Sequence, residues 1–335
     1  MKRLFASLAA VTVALTGAAS AADKPTKVTV GYLNLVNAQL VTKNLGLIAK
    51  EMPGVEIKYI KVGGGGDMLR AIAGSDVDFG GLGNPPTAIG ATRALPIKGI
   101  LVLNMLDYVE SMVVRTSKNI KSLQDLKGKT VAAPFGSTTH YLLLQALKNE
   151  GVDPTSMKIL DLPPADIASA WLRGDLDAAW FWEPNLDKAV KSDGNMLITS
   201  GDMLRKGYPT WDIGVVMNGF AEKYPDYVTK FVKAECAGID FWLQNPDKTA
   251  AIIAEELSLP IADATRMMKG TTMVACDKQL TAPYLGTSAK KGEFVDTLLA
   301  TADFLVKQER LPKLLPRKDF EDFIVPGYIE KVLGK

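Results

Sequence analysis

The chain has 335 residues, more than one hydrophobic core usually serves, so two lobes are expected. Its 39 basic and 37 acidic residues become 37 of each once Lys2 and Arg3 are set aside with the leader, a balance that argues against nucleic-acid binding. Two cysteines and one histidine are too few for a zinc site, and no metal or cofactor is expected.

The opening MKRLFASLAAVTVALTGAASA combines two positive charges, an apolar run and a small-residue ending. It reads as a secretory signal peptide cleaved after Ala21, because the run is too short to cross a bilayer of ~30 Å as a helix. The mature protein is expected to be soluble and exported. From Lys27, short β-rich runs alternate with helical ones: KVTVGYL then NAQLVTKNLGLIAKE, VEIKYIKV then GDMLRAIAG, VDFGGL then PTAIGATRA. Such alternation predicts an α/β sheet covered by helices.

A second series begins at SLQDLKGKTVAAP and continues through HYLLLQALKNEG, MKILDL, ADIASAWLRG and LDAAWFW. The two series echo each other, since Asp78 precedes an apolar strand and Pro85 while Asp177 precedes one and Pro184 at the same spacing. Each proline would open a helix beyond a strand's carboxyl end, where open α/β sheets bind ligands. After Asp212 the segments become helix-rich, with apolar residues at three- and four-residue spacing, and are expected to pack on the first lobe. The chain would cross between lobes near Asp107 to Arg115 and return near Tyr208 to Met217. Lobe 1 is therefore expected to hold residues 22–110 and 214–335 and lobe 2 residues 111–213, hinged about a cleft.

Gly63 to Gly66 follow a strand, but no Gly-Lys-Ser/Thr comes after them, so they read as a turn lining the cleft rather than a phosphate cradle. In PFGSTTHY, Ser137, Thr138 and Thr139 open a helix, where hydroxyls and free N–H groups suit a small acidic group. His140 has no nucleophile elbow beside it; it reads as a helix-start residue that packs locally or touches a ligand, and the chain is not expected to be an enzyme. In AAWFWEP, alternation puts Trp180 and Trp182 on one strand face and Phe181 on the other, with Trp182 and Glu183 toward the cleft. In TWDIGVV, Trp211 and Asp212 supply either an aromatic wall and a carboxylate for an ammonium group, or a core residue and a turn residue. Asn34, Asn37 and Asn84 complete the candidate ligand set. Cys236 and Cys276 are either two buried thiols or, as an oxidising compartment favours, a disulfide.

These segments resemble the periplasmic substrate-binding proteins of ABC transporters, in the nitrate, sulfonate and taurine group. The resemblance spans nearly the whole mature chain and rests on PFGSTTHYLLLQALKNEGV, IASAWLRGDLDAAWFWEP and PTWDIGVV. It implies a type II periplasmic-binding fold, two α/β lobes joined by two crossover strands, that delivers taurine or a related small sulfonate to a membrane permease and its ATPase. Residue by residue, it implies Ser137, Thr138, Thr139 and His140 at a ligand-facing helix start and Asp212 at the amine. The chain departs from the taurine pattern at Gly83-Asn84-Pro85-Pro86, whose prolines have no N–H to donate, and at Glu183. Another amine, an aliphatic sulfonate or nitrate are the alternative ligands, and an enzyme of the same fold is the competing class.

Overall fold

A computed structural model describes residues 24–335; the expected signal peptide and its cleavage site lie outside the described residues. Eleven strands form two separate sheets among the described residues. In chain order they are β1 (Lys27–Leu33), β2 (Glu56–Val62), β3 (Phe79–Gly83), β4 (Ile97–Leu106), β5 (Glu110–Arg115) and β6 (Thr130–Ala133). They continue with β7 (Lys158–Asp161), β8 (Ala178–Trp182), β9 (Gly194–Thr199), β10 (Trp211–Met217) and β11 (Thr271–Thr272). The first sheet has the order β11-β4-β10-β3-β1-β2 and the second β7-β6-β8-β5-β9.

Each sheet is built on the same plan. Three parallel strands come from one βα series, β2, β1 and β3 in the first sheet and β7, β6 and β8 in the second. An antiparallel strand lies beside the last of them, β10 against β3 and β5 against β8. The repeated aspartates explain the sequence echo: Asp78 accepts the Thr29 N–H at 2.7 Å and Asp177 accepts the Thr130 N–H at 2.9 Å. Each carboxylate thus fastens the strand entering β3 or β8 to the start of its parallel neighbour.

The chain passes from the first sheet to the second between β4 and β5 and returns through β10. Both crossover strands lie within the expected ranges, and their ladders show which sheet each residue joins. Glu110, expected to end lobe 1, opens β5 in the second sheet, and Trp211, Asp212 and Ile213, expected in lobe 2, belong to β10 in the first. Ladder pairing sets these strand edges, and it begins one residue before the expected start of lobe 2 in β5 and three before the expected return to lobe 1 in β10.

One large core backs the first sheet, and smaller cores lie on the two faces of the second. β8 feeds both of those faces, Trp180 packing on one and Phe181 on the other, while Trp182 ends the strand. The helix Pro225–Gln244 packs on the helix Ala38–Asn44 of the first lobe. The helix Phe294–Lys307 packs on Asn84–Thr92 and also reaches the second lobe, where Phe304 meets Tyr141 edge-on with ring centres 5.2 Å apart. Cys236 and Cys276 are joined by a disulfide with a Cα–Cα distance of 5.8 Å.

Candidate functional site

The carboxyl ends of the parallel strands in the two sheets face each other across a narrow, nearly closed cleft with only about 20 Å³ of free space. The first lobe contributes Gly65, Gly83, Pro86 and Asp212. The second contributes Glu110, Ser137, Thr138 and Trp182. The lobes approach closely at Gly83, where a Cβ would sit 2.7 Å from the Thr138 methyl carbon and 3.5 Å from an Asp212 oxygen. A side chain there would have to push the second lobe's helix away, so this close approach requires glycine.

Helix Thr138–Asn149 starts at this point because Ser137 is extended and its hydroxyl accepts the His140 N–H at 3.3 Å. That hydroxyl also donates to the Pro134 carbonyl at 2.6 Å and lies 2.9 Å from the Thr139 hydroxyl, which is fully buried. The N–H groups of Thr138 and Thr139 come too early in the helix for an intrahelical acceptor, so this end offers unpaired donors and the positive pole of the helix dipole. The corresponding helix of the first lobe, Asn84–Thr92, has prolines in its first turn and offers fewer N–H groups.

Two buried carboxylates line the cleft. Asp212 accepts from Asn104 Nδ2 at 3.0 Å; Asn104 Oδ1 accepts from Asn37 at 3.4 Å, and Asn37 caps its own helix through the Gln39 N–H. Burial pushes Asp212 up to about 6, opposed by the Asn104 hydrogen bond. Glu110 accepts from the Thr138 hydroxyl at 2.6 Å and from Ser200 at 3.3 Å. Burial, and after it the charge of Asp212, push Glu110 up to about 8 against those two hydrogen bonds. Among the described residues no lysine, arginine or histidine lines the cleft, and no cluster of His, Cys, Asp and Glu is built to hold a metal.

Of the residues singled out in the sequence, Ser137, Thr138, Trp182 and Asp212 meet in this space. Several others turn elsewhere. Asn84 accepts the Trp211 N–H at 2.8 Å and donates to the Pro209 carbonyl, so its amide pins the returning crossover. Trp211 is a core residue after all, edge-on to Tyr284 and Phe294 at 5.7 and 5.3 Å. Asn37 supports Asp212 from behind, and Asn34 sits half-buried on the turn after β1. Glu183 accepts the Asp187 N–H at 2.8 Å and faces Arg266 Nη1 at 3.4 Å. Arg266 also holds Asp187 at 2.6 Å, and since it lies on helix Ile261–Met268, which packs on the first lobe's helix Pro246–Leu257, it joins the two lobes beside the cleft. Burial pushes Glu183 up to about 7, opposed by the Asp187 N–H and by Arg266.

His140 packs locally at the helix start, the first of the two roles its sequence position allows. Its ring stacks on Phe135 with centres 4.2 Å apart, and burial, helped by nearby Arg310, lowers it to about 4, so it is neutral near pH 7. His140→Phe should therefore change ligand affinity by less than about tenfold, the equivalent of ~1.4 kcal/mol; a larger loss in titration calorimetry would restore a ligand contact.

Sequence reasoning missed Glu110 and Asn104. The echo between the two series held the signal for Glu110: Asp212 pairs across from Gly83, five residues after Asp78, and Glu110 pairs across from Trp182, five residues after Asp177. Each crossover strand thus carries an acid opposite the last residue of the parallel strand beside it.

Comparison with known proteins agrees with this geometry. The family described as NMT1/THI5 like matches residues 40–249. A taurine-binding periplasmic protein of Escherichia coli strain K12 is 33% identical over 310 residues, covering 90% of this chain and 92% of the relative. A putative aliphatic sulfonates-binding protein of the same organism is 25% identical, covering 76% of this chain and 79% of the relative. Among solved structures, the alkanesulfonate-binding protein SsuA from Xanthomonas axonopodis pv. citri, bound to MOPS, superposes with a TM-score of 0.77 at 21% identity, covering 89% of this chain and 99% of the other. The two-lobed architecture is accordingly the periplasmic-binding-protein fold, type II in its crossovers, and the chain belongs to the NMT1/THI5-like family, as a homologue of periplasmic binding proteins.

Proposed function

We propose that this protein is the substrate-binding component of an ABC importer and captures taurine or a closely related small aminosulfonate between its lobes. One observation carries the reading: the cleft sets two buried carboxylates and no cation opposite a helix amino end. Such a lining suits a short zwitterion. Its anionic group takes the Thr138 and Thr139 N–H groups and its ammonium group takes Asp212. A plain anion such as nitrate leaves the acids facing a like charge, and a plain amine leaves the helix end unused. The likeness to a taurine-binding periplasmic protein supports the same choice.

In this reading the protein is exported, its signal peptide is cleaved after Ala21, and it acts as a monomeric carrier rather than an enzyme. Lobe 1, expected from 22–110 and 214–335, and lobe 2, expected from 111–213, close about the two crossovers and present the ligand to a permease and ATPase complex. Trp182 forms the aromatic wall on the second-lobe side, and the ion pairs of Arg266 with Glu183 and Asp187 orient one lobe against the other.

Thermal-shift measurements on mature protein with taurine, ethanesulfonate, ethylamine and nitrate test the ligand class. A ligand that binds only the folded state at a hundred times its Kd adds ~2.7 kcal/mol of apparent stability. Taurine should give the largest rise in Tm; a larger rise with ethanesulfonate or nitrate would move the protein to the plain-anion carriers.

A further inference from the structure

We propose that Glu110 is a second ammonium-binding carboxylate, paired with Asp212, and that it enters the complex by giving up a proton. The proposal rests on the aminosulfonate reading and assigns a residue and a proton balance to it. Its geometric basis is the pseudo-symmetry of the two sheets. Asp212, the second residue of β10, lies opposite the last residue of β3, and Glu110, the first residue of β5, lies opposite the last residue of β8. Both side chains line the one cleft, from opposite lobes.

The surroundings of Glu110 supply no positive charge. From helix Thr138–Asn149 it meets the Thr138 hydroxyl, and from helix Ser200–Arg205 the Ser200 hydroxyl. Asp212 approaches from β10, and Trp182 from β8. Of the charged groups nearby, Glu183 pairs with Arg266, Asp202 pairs with Arg205 on the exposed side of its helix, and the Asp107 carboxylate, a further negative group, lies against Gly201 beside Ser200. His140 is neutral against Phe135. Two buried acids sharing a cleft without a cation cannot both be ionised cheaply, and the raised position of Glu110, about 8, marks it as the one that keeps its proton near pH 7.

An arriving ammonium group changes this balance. It donates N–H hydrogen bonds to both carboxylates and brings the missing positive charge. The Glu110 O–H bond then breaks, the proton leaves to solvent, and the carboxylate accepts from the ligand; nothing is oxidised or reduced. The sign follows from linkage. The group's pKa is high in the free protein and low in the complex, so between those values binding releases a proton and affinity rises with pH. The selectivity follows as well, since a ligand without an ammonium group cannot replace the lost proton.

Titration calorimetry of the mature protein with taurine at pH 7, in two buffers of different ionisation enthalpy, reads the proton count directly. The expected release is about one proton per taurine, with affinity rising by up to about tenfold per pH unit between pH 6.5 and 8. Glu110→Gln, a close mimic of the protonated side chain, should abolish both the release and the pH dependence. Taurine binding without proton release by the wild type, or an undiminished release by Glu110→Gln, would overturn the assignment of Glu110 while leaving the aminosulfonate reading intact. No taurine binding at all would overturn that reading and this proposal with it. The wild-type measurement needs no variant to fold.

Discussion

Asp212→Asn should weaken taurine binding by at least about thirtyfold. Removing one partner of a buried, hydrogen-bonded charge pair typically costs ~2–5 kcal/mol, and ~1.4 kcal/mol is a factor of ten. The substitution is conservative in shape, and its Oδ1 can still accept from Asn104, as Asp212 Oδ2 does now at 3.0 Å. What changes is the face turned to the cleft, where an amide donor or a neutral oxygen replaces a carboxylate. The loss therefore reports charge recognition rather than a damaged fold. Ethanesulfonate, which has no ammonium group, should bind the variant as well as or better than the wild type, because a repelling charge has gone. Calorimetry with both ligands on both proteins makes the comparison. Equal taurine affinities would remove Asp212 from amine recognition, and a wild-type preference for ethanesulfonate would replace taurine by a plain sulfonate.

Replacing both cysteines by alanine should lower stability by ~4 kcal/mol, the chain-entropy estimate for a cross-link closing a loop of about 40 residues. In a chain of this size that corresponds to a fall in Tm on the order of 8 °C. The bridge ties helix Pro225–Gln244 to the short helix Cys276–Gln279, both in the first lobe. The second anchor of that short helix is Gln279, which accepts the Val102 N–H at 2.7 Å and donates to the Val102 carbonyl at 2.9 Å. Because Gln279 still holds β4, Asn104 and the Asp212 it supports should keep their places. Taurine binding at room temperature should survive in the variant while scanning calorimetry shows the lower Tm. An unchanged Tm would show that the Gln279 anchor and core packing alone hold this segment.

The local pattern of the chain was enough for the alternation of strands and helices, for the helix start at Ser137 and for the aspartate-strand-proline echo. Each depends on neighbours a few residues apart: an extended Ser137 capping its own helix, or period-two alternation separating Trp180 from Phe181. For the cysteines the sequence allowed only one bridge but left open two buried thiols, and the 5.8 Å Cα–Cα approach of Cys236 and Cys276 decided for the bridge. Composition also showed that two crossovers exist, but not where their ladders begin. Tertiary structure decided which polar side chains face the cleft. Asn84 and Asp212 look alike as candidates in sequence, yet the Asn84 amide is consumed by the Trp211 N–H and the Pro209 carbonyl, more than a hundred residues away. Trp211 and Trp182 look like two walls of one site, yet pairing of β10 between β3 and β4 leaves the Trp211 ring in the core against Tyr284 and Phe294. Glu110 drew no notice as the lone acid before a run of apolar residues, and became a cleft residue only when β5 lay antiparallel to β8 and set it across from Trp182. The physical reason is the same in each case. A buried polar group must find a partner, and which partner is within about 3 Å depends on strand pairings between distant segments, which periodicity along the chain does not encode.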